Sequence, residues 1–153
     1  MSDIIRGAQH TIIIAGSGRP EEPADLKNPN ALTEVEQNTL QQWGRRVWTI
    51  PEVILARGET VTVIINGAKP RSFDKVLFAQ QAWNDADESR QLVENYTTVH
   101  LSRLELVNIA WKCLKNRELK EMWPGDRSYA LVGLLRLRPK IDNRDTSFQA
   151  FAR

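Results

Sequence analysis

The chain has 153 residues, of which 41% are hydrophobic, 26% charged and 7% aromatic. That is the composition of an ordinary globular domain, and it excludes collagen, a disordered tail and a disulfide-stapled miniprotein. The single cysteine, Cys113, forbids an internal disulfide and a cysteine-rich zinc site.

In chain order, the first expected element is a strand over residues 10–15, where Ile12, Ile13 and Ile14 form a short β-branched run bounded by Gly16. A run of that length suits a buried strand better than a helix. Residues 17–30 carry Pro20, Pro23 and Pro29 among polar side chains and read as a mobile surface loop or arm. Thr33 followed by Glu36 is a capping box, and Leu40, Trp43 and Val47 continue one helical stripe. Arg45 and Arg46 are expected in the last turn of that helix, complementing its dipole, with Pro51 preventing continuation. Residues 53–56 and 60–65 are β-prone and flank Arg57, Gly58 and Glu59, so a hairpin over residues 53–65 is expected, with Gly58 at positive φ. Pro70 argues against a long third strand after Asn66-Gly67.

From Ser72 the pattern turns helical. Phe73, Val76, Leu77, Gln80 and Trp83 trace one stripe, and Asp85 or Asp87 can cap a helix through Leu92, Val93 and Tyr96. Ser102 and Glu105 form a second capping box ahead of Leu104, Val107, Trp111 and Leu114. Trp123, Pro124 and Gly125 break the pattern before a helix through Leu131, Leu134 and Leu135, which Pro139 ends. Thr146 and Gln149 suggest a last capping box before Phe148 and Phe151. The expected fold is α+β, mainly α: about five helices with a small β element, in a single domain over residues 1–153. The last helix stops while still apolar, which suggests the N-terminal domain of a longer protein. No apolar run approaches the roughly 20 residues of a membrane span and the chain opens without a signal-peptide layout. The expected setting is the cytoplasm, the nucleus or the interior of a virion.

The net charge of +2 conceals a division. Residues 1–100 hold 10 Lys and Arg against 13 Asp and Glu, a balance of −3; residues 101–153 hold 11 against 6, a balance of +5. A basic segment behind an acidic one can meet phosphate or anionic lipid although the whole is near neutral.

Catalytic signatures are sparse. Gly16, Ser17, Gly18 and Arg19 follow a strand as a phosphate loop would, but Pro20, Glu21, Glu22 and Pro23 replace the helix that should back it. A small nucleotide- or phosphate-binding enzyme using that loop, with His10 or His100 as base, is therefore the alternative reading. Cys113 sits mid-helix beside Lys112, where packing explains it better than nucleophilic chemistry. Asp85, Asp87 and Glu88 lack the glycine and terminal glutamate of a calcium loop, and helix capping accounts for them. No cofactor or metal is expected. Of the tryptophans, Trp43, Trp83 and Trp111 lie on apolar stripes and are expected in the core, whereas Trp48 and Trp123 lie nearer helix ends.

The leading expectation is a non-enzymatic binding or assembly protein, resembling in architecture alone a viral matrix, nucleocapsid or phage structural domain. It would engage RNA or anionic lipid through Arg45, Arg46, Lys112, Lys115, Arg117, Lys120, Arg136, Arg138 and Lys140, and self-associate through residues 17–30 and exposed strand edges. A protein-interaction module with an incidental basic surface is the third reading.

Overall fold

A computed structural model of the chain describes residues 10–16, 31–97, 100–119, 123–137 and 144–152. The expected arm over residues 17–30 lies outside them.

The isoleucine run does form a strand, β1 (Thr11–Ala15), but its side chains alternate. Ile13 and Ala15 point into the core, while Ile12 and Ile14 are 61% and 73% exposed. The strand is half open rather than buried because it belongs to a three-stranded sheet, order β1-β2-β3, that packs only one face on the core. β1 pairs in parallel with β2 (Thr60–Ile65), Thr11 opposite Val61 and Ala15 opposite Ile65. β2 pairs antiparallel with β3 (Arg71–Asp74), Thr60 opposite Asp74 and Val63 opposite Arg71.

The hairpin is therefore one strand later than expected. Asn66 (φ 51°) and Gly67 (φ 74°) are both left-handed, and the Ala68 N–H donates to the Ile65 carbonyl at 2.8 Å. This is the asparagine-glycine turn whose twist matches paired strands. Pro70 is accommodated by preceding β3 rather than lying within it. Gly58 carries no positive φ, and residues 53–56 do not form a strand. Val53 and Ile54 instead complete a short helix.

Seven helices are described. The first, α1 (Glu34–Gly44), opens on the expected capping box: the Glu36 N–H donates to Thr33 Oγ1 (3.2 Å) and the Thr33 N–H to Glu36 Oε2 (2.8 Å). It stops at Gly44, so Arg45 and Arg46 follow the helix instead of forming its last turn. Gly44 is required by close approach: a Cβ there would stand 2.1 Å from the Ala82 carbonyl oxygen. Pro51 does not stop a helix but sits in the first turn of α2 (Thr49–Ile54), where its missing N–H costs nothing.

Asp74 caps α3 (Lys75–Ala82) by accepting from the Leu77 N–H at 2.8 Å. The buried stripe of α3 is Lys75, Phe78, Ala79 and Ala82; Gln80 and, at 38% exposure, Leu77 face outward. Next come α4 (Ala86–Thr97) and α5 (Arg103–Lys115), the latter opened by the Ser102–Glu105 capping box. Contacts of Asp85 with Arg117, Ser89 with Cys113 and Asn95 with Leu101 show that α4 and α5 run antiparallel. The last two are α6 (Asp126–Leu134) and α7 (Ser147–Ala152), with the Thr146–Gln149 reciprocal pair in front of α7.

The C-terminus of α6 is a Schellman motif. The Leu137 N–H donates to the Val132 carbonyl (3.1 Å) and the Arg136 N–H to the Gly133 carbonyl (3.0 Å). Arg136 occupies the left-handed position usually taken by glycine, at φ 59°, which costs a side-chain-bearing residue roughly 1 kcal/mol.

The core lies between the inner face of the sheet (Ile13, Val61, Val63, Phe73) and the helices, around Leu40, Ile50, Phe78, Leu92, Leu114 and Leu134. Phe78 is met edge-on by Trp43 and Trp83, with ring centroids 6.0 and 5.7 Å apart, an arrangement worth roughly 1 kcal/mol per pair beyond the area buried.

Candidate basic and aromatic surface

The sequence-predicted cations do not form one face. Lys120, Arg138 and Lys140 lie outside the described residues. Arg117 is buried, at 8% exposure, and is a structural group rather than a surface cation. Its Nε donates to the Cys113 carbonyl (3.0 Å), its Nη1 to the Gly44 carbonyl (2.6 Å) and its Nη2 pairs with Asp85. Its guanidinium also lies over the Trp83 ring, 5.7 Å from the centroid. The fork thus ties the end of α1, the start of α4 and the end of α5 together. Asp85 is spoken for by this pair and by the Ser89 hydroxyl, and no group of three metal-ligating side chains occurs among the described residues.

Arg136 is at the other end of the α4–α5 pair. Its guanidinium lies over the Tyr96 ring at 5.1 Å, and Tyr96 belongs to the last turns of α4. Lys112 and Lys115, by contrast, lie in the last turn of α5, at the end where α4 begins. The basic C-terminal third therefore divides into at least two groups.

One group does assemble. The chain after α5 makes an isolated parallel bridge, Arg46 to Glu118, in which the Glu118 N–H donates to the Arg45 carbonyl (2.7 Å) and the Val47 N–H to the Glu118 carbonyl (3.2 Å). That pairing sets exposed Arg45 and Arg46 beside the end of α5, where Lys112 and Lys115 are also exposed. Arg46 lies over the Trp43 ring at 5.7 Å, and its charge partly offsets the effect of burial on Glu52, which raises that carboxyl above its usual range. Glu118 is the exposed carboxylate within this group.

The exposed side of α5 that bears Lys112 and Lys115 also carries Trp111. Expected in the core, it is 46% exposed, because the buried stripe of α5 is Ile109, Ala110, Cys113 and Leu114. Leu104, two turns earlier, is 80% exposed. Trp48, expected to be freer, is held: its Nε1–H donates to Asp126 Oδ2 at 2.7 Å. The signal for Trp111 was available in the sequence. Two stripes can be drawn on α5, and only the one through Ala110 and Cys113 leaves both lysines outside.

Cys113 is confirmed as a packing residue. It is fully buried beside Ser89, and burial, reinforced by the Asp85 carboxylate, pushes its thiol pKa up to about 12. A thiol held protonated is a poor nucleophile. The folded protein at pH 8 should therefore resist a thiol-reactive disulfide reagent, and one equivalent should react on addition of denaturant; rapid reaction without denaturant would contradict the burial.

Of the alternative phosphate loop, only Gly16 lies among the described residues. Gly16 is left-handed (φ 76°) and abuts the Asn66 side chain, which a Cβ at Gly16 would approach to 2.0 Å. Ser17, Gly18 and Arg19 lie outside the described residues, and His10 and His100 are both exposed. No helix among the described residues is long and apolar enough to cross a membrane. No family model, no curated protein and no solved structure matches the chain.

Proposed function

We propose that this chain is a non-enzymatic binding protein that holds RNA on the face formed by the last turns of α5 and residues 45–46. The observation that carries the reading is Trp111, an exposed ring flanked by Lys112 and Lys115, with Arg45 and Arg46 brought alongside by the Arg46–Glu118 bridge. Bases of a single strand stack on such a ring while the cations meet successive phosphates, so affinity is electrostatic and tolerant of sequence. The β1 edge, with Ile12 and Ile14 outward, is the surface through which an assembly protein of this kind would contact another copy.

Binding of a labelled 20-nucleotide oligouridine, followed by anisotropy across a salt series, tests the proposal. Four phosphate contacts give a log–log slope of about −3 for a single strand. Lys112→Glu with Lys115→Glu should flatten that slope by at least about 1. Trp111→Ala should weaken binding roughly tenfold by removing one stacked base. Unchanged affinity in both variants removes RNA from this face.

A second reading rests on Leu104. With Trp111 it places two apolar side chains beside the lysines on one exposed helix face, the pattern of a helix resting on an anionic bilayer. Vesicles of phosphatidylserine and phosphatidylcholine run in parallel decide between the two: binding that depends on Leu104 favours the lipid, and binding indifferent to Leu104 favours the RNA.

A further inference from the structure

Residues 56–59, between α2 and β2, bend over a cavity of about 230 Å³. Three cations line it. Arg57 and Arg136 stand at its solvent edge, both exposed, and Lys75 forms its floor at 7% exposure. Tyr96 closes one side beneath the Arg136 guanidinium. Glu59 is the carboxylate of the lining.

Part of Lys75 has a structural explanation. Its Nζ donates to the Ile54 carbonyl (3.4 Å), which the end of α2 leaves without a helical donor, and to the Ala56 carbonyl just beyond the helix. Those contacts use two of the three ammonium N–H groups and none of the charge. Among the described residues, neither Lys75, Arg57 nor Arg136 takes part in an ion pair. A buried ammonium without an ion-pair partner is unfavourable, and the two guanidiniums bordering the same space outnumber its single carboxylate. Burial lowers the Lys75 pKa accordingly. Among the described residues, the cavity lining therefore sets three cations against one carboxylate.

Arg136 sharpens the point. Glycine is the residue of least strain at its left-handed position, so the Schellman motif by itself gives no reason for arginine there. What the arginine adds is a guanidinium over Tyr96 at the mouth of the cavity.

We propose that this cavity binds the phosphate of a small hydroxylated phosphomonoester, with Lys75 donating its free N–H to the phosphate, Arg57 and Arg136 closing over the anion, and Glu59 accepting from a hydroxyl of the ligand. The volume suits a ligand the size of a glycerol phosphate. The same chemistry is presented by a free metabolite and by a lipid headgroup, so both are tested.

Amide chemical shifts of Arg57, Glu59, Lys75 and Tyr96 are followed in a titration with glycerol 3-phosphate, with sodium chloride at matched ionic strength as control. 1-Octanoyl lysophosphatidic acid, which keeps a free glycerol hydroxyl beside its phosphomonoester, is titrated in parallel. The expected result is a saturable shift at these positions with glycerol 3-phosphate, or with the lipid alone if the headgroup is the natural source, and none with chloride. Arg57→Glu and Arg136→Gly should each weaken binding by about tenfold or more, the loss of one charge-assisted contact. Arg136→Gly is the decisive variant, because relief of the left-handed strain leaves the protein at least as stable while binding weakens. Lys75→Met should abolish binding, but it also removes two carbonyl contacts, so the rim variants carry the judgement. Absence of a saturable shift with either ligand, or equal affinity in both rim variants, overturns the proposal.

Discussion

Replacing Arg117 with alanine is expected to lower stability by about 3–5 kcal/mol, the cost of breaking a buried ion pair by deleting one partner, and the Tm of a domain this size by about 10 °C. The loss has several sources in one residue. Asp85 keeps its charge in a partly buried position, the Gly44 and Cys113 carbonyls lose their guanidinium donors, and the face of Trp83 is uncovered. Arg117→Lys should recover little of it, since an ammonium cannot reproduce a planar fork reaching three acceptors. Thermal unfolding followed by circular dichroism measures both variants, and a wild-type Tm in Arg117→Ala would show that the fork is dispensable. A practical consequence follows for binding studies. Arg117 must be left out of any charge-reversal series on the basic segment, because its removal loosens the fold that presents Lys112 and Lys115.

The second large effect is expected at the pair joining α1 to the sheet. Arg71 of β3 reaches Glu36 through two hydrogen bonds, Nη1 to Oε2 at 2.8 Å and Nη2 to Oε1 at 2.7 Å, with the Glu36 side chain only 2% exposed. Burial by itself would raise the Glu36 pKa, but hydrogen bonds from Arg71 and the Thr33 backbone, together with the guanidinium charge, outweigh it and hold the carboxyl below its ordinary 4.5. A carboxylate with a depressed folded-state pKa adds stability that is complete above the unfolded value and disappears as the pH falls through the folded one. Stability should therefore be flat from neutrality to about pH 5 for this group and decline below 4.5, and Glu36→Gln should abolish that part of the decline. Arg71→Ala strands a buried carboxylate and should cost about 3–5 kcal/mol at pH 7, with a partial recovery of relative stability at low pH as Glu36 becomes neutral. Urea denaturation at pH 7 and pH 4 for the three proteins gives the comparison. Equal pH dependence in wild type and Glu36→Gln would refute the assignment.

Much of the helical part of this fold is legible in the sequence because its signals are local. The three capping boxes at Thr33, Ser102 and Thr146 each need only four consecutive residues, and all three form. What failed depended on residues far apart. Val53 and Ile54 are as β-prone as Val61 and Val63, but Trp48 tied to Asp126 and the Lys75 ammonium on the carbonyls behind them hold residues 49–54 as a helix. Such contacts override propensity without leaving a trace in the local pattern. Lys75 itself was invisible as a buried residue: it occupies the inward face of α3 in register with Phe78 and Ala82, and a binary pattern scores a lysine as solvent. The same blindness placed Arg117 on the surface, whereas Trp111 was put in the core by the choice of the wrong one of two stripes. A cation surrounded by carbonyls, a carboxylate and a ring face is buried for reasons that hydrophobic periodicity does not contain. Arg45, Arg46, Lys112 and Lys115 are all exposed, and what brings residues 45–46 to the end of α5 is a bridge spanning more than 70 positions.

The parallel pairing of β1 has a consequence for the order in which the molecule comes together. β2 and β3 are joined by a tight turn and can zip locally, whereas β1 reaches β2 only after residues 16–59, including α1 and α2, have been closed into a loop. The entropy of that closure is spent before any β1 hydrogen bond is made. Among the described residues the strand is also paired on one side only, and two of its three isoleucines face water. β1 is thus the last strand to join and the first able to leave, so the central strand's outer edge is the site where the native chain opens at least cost.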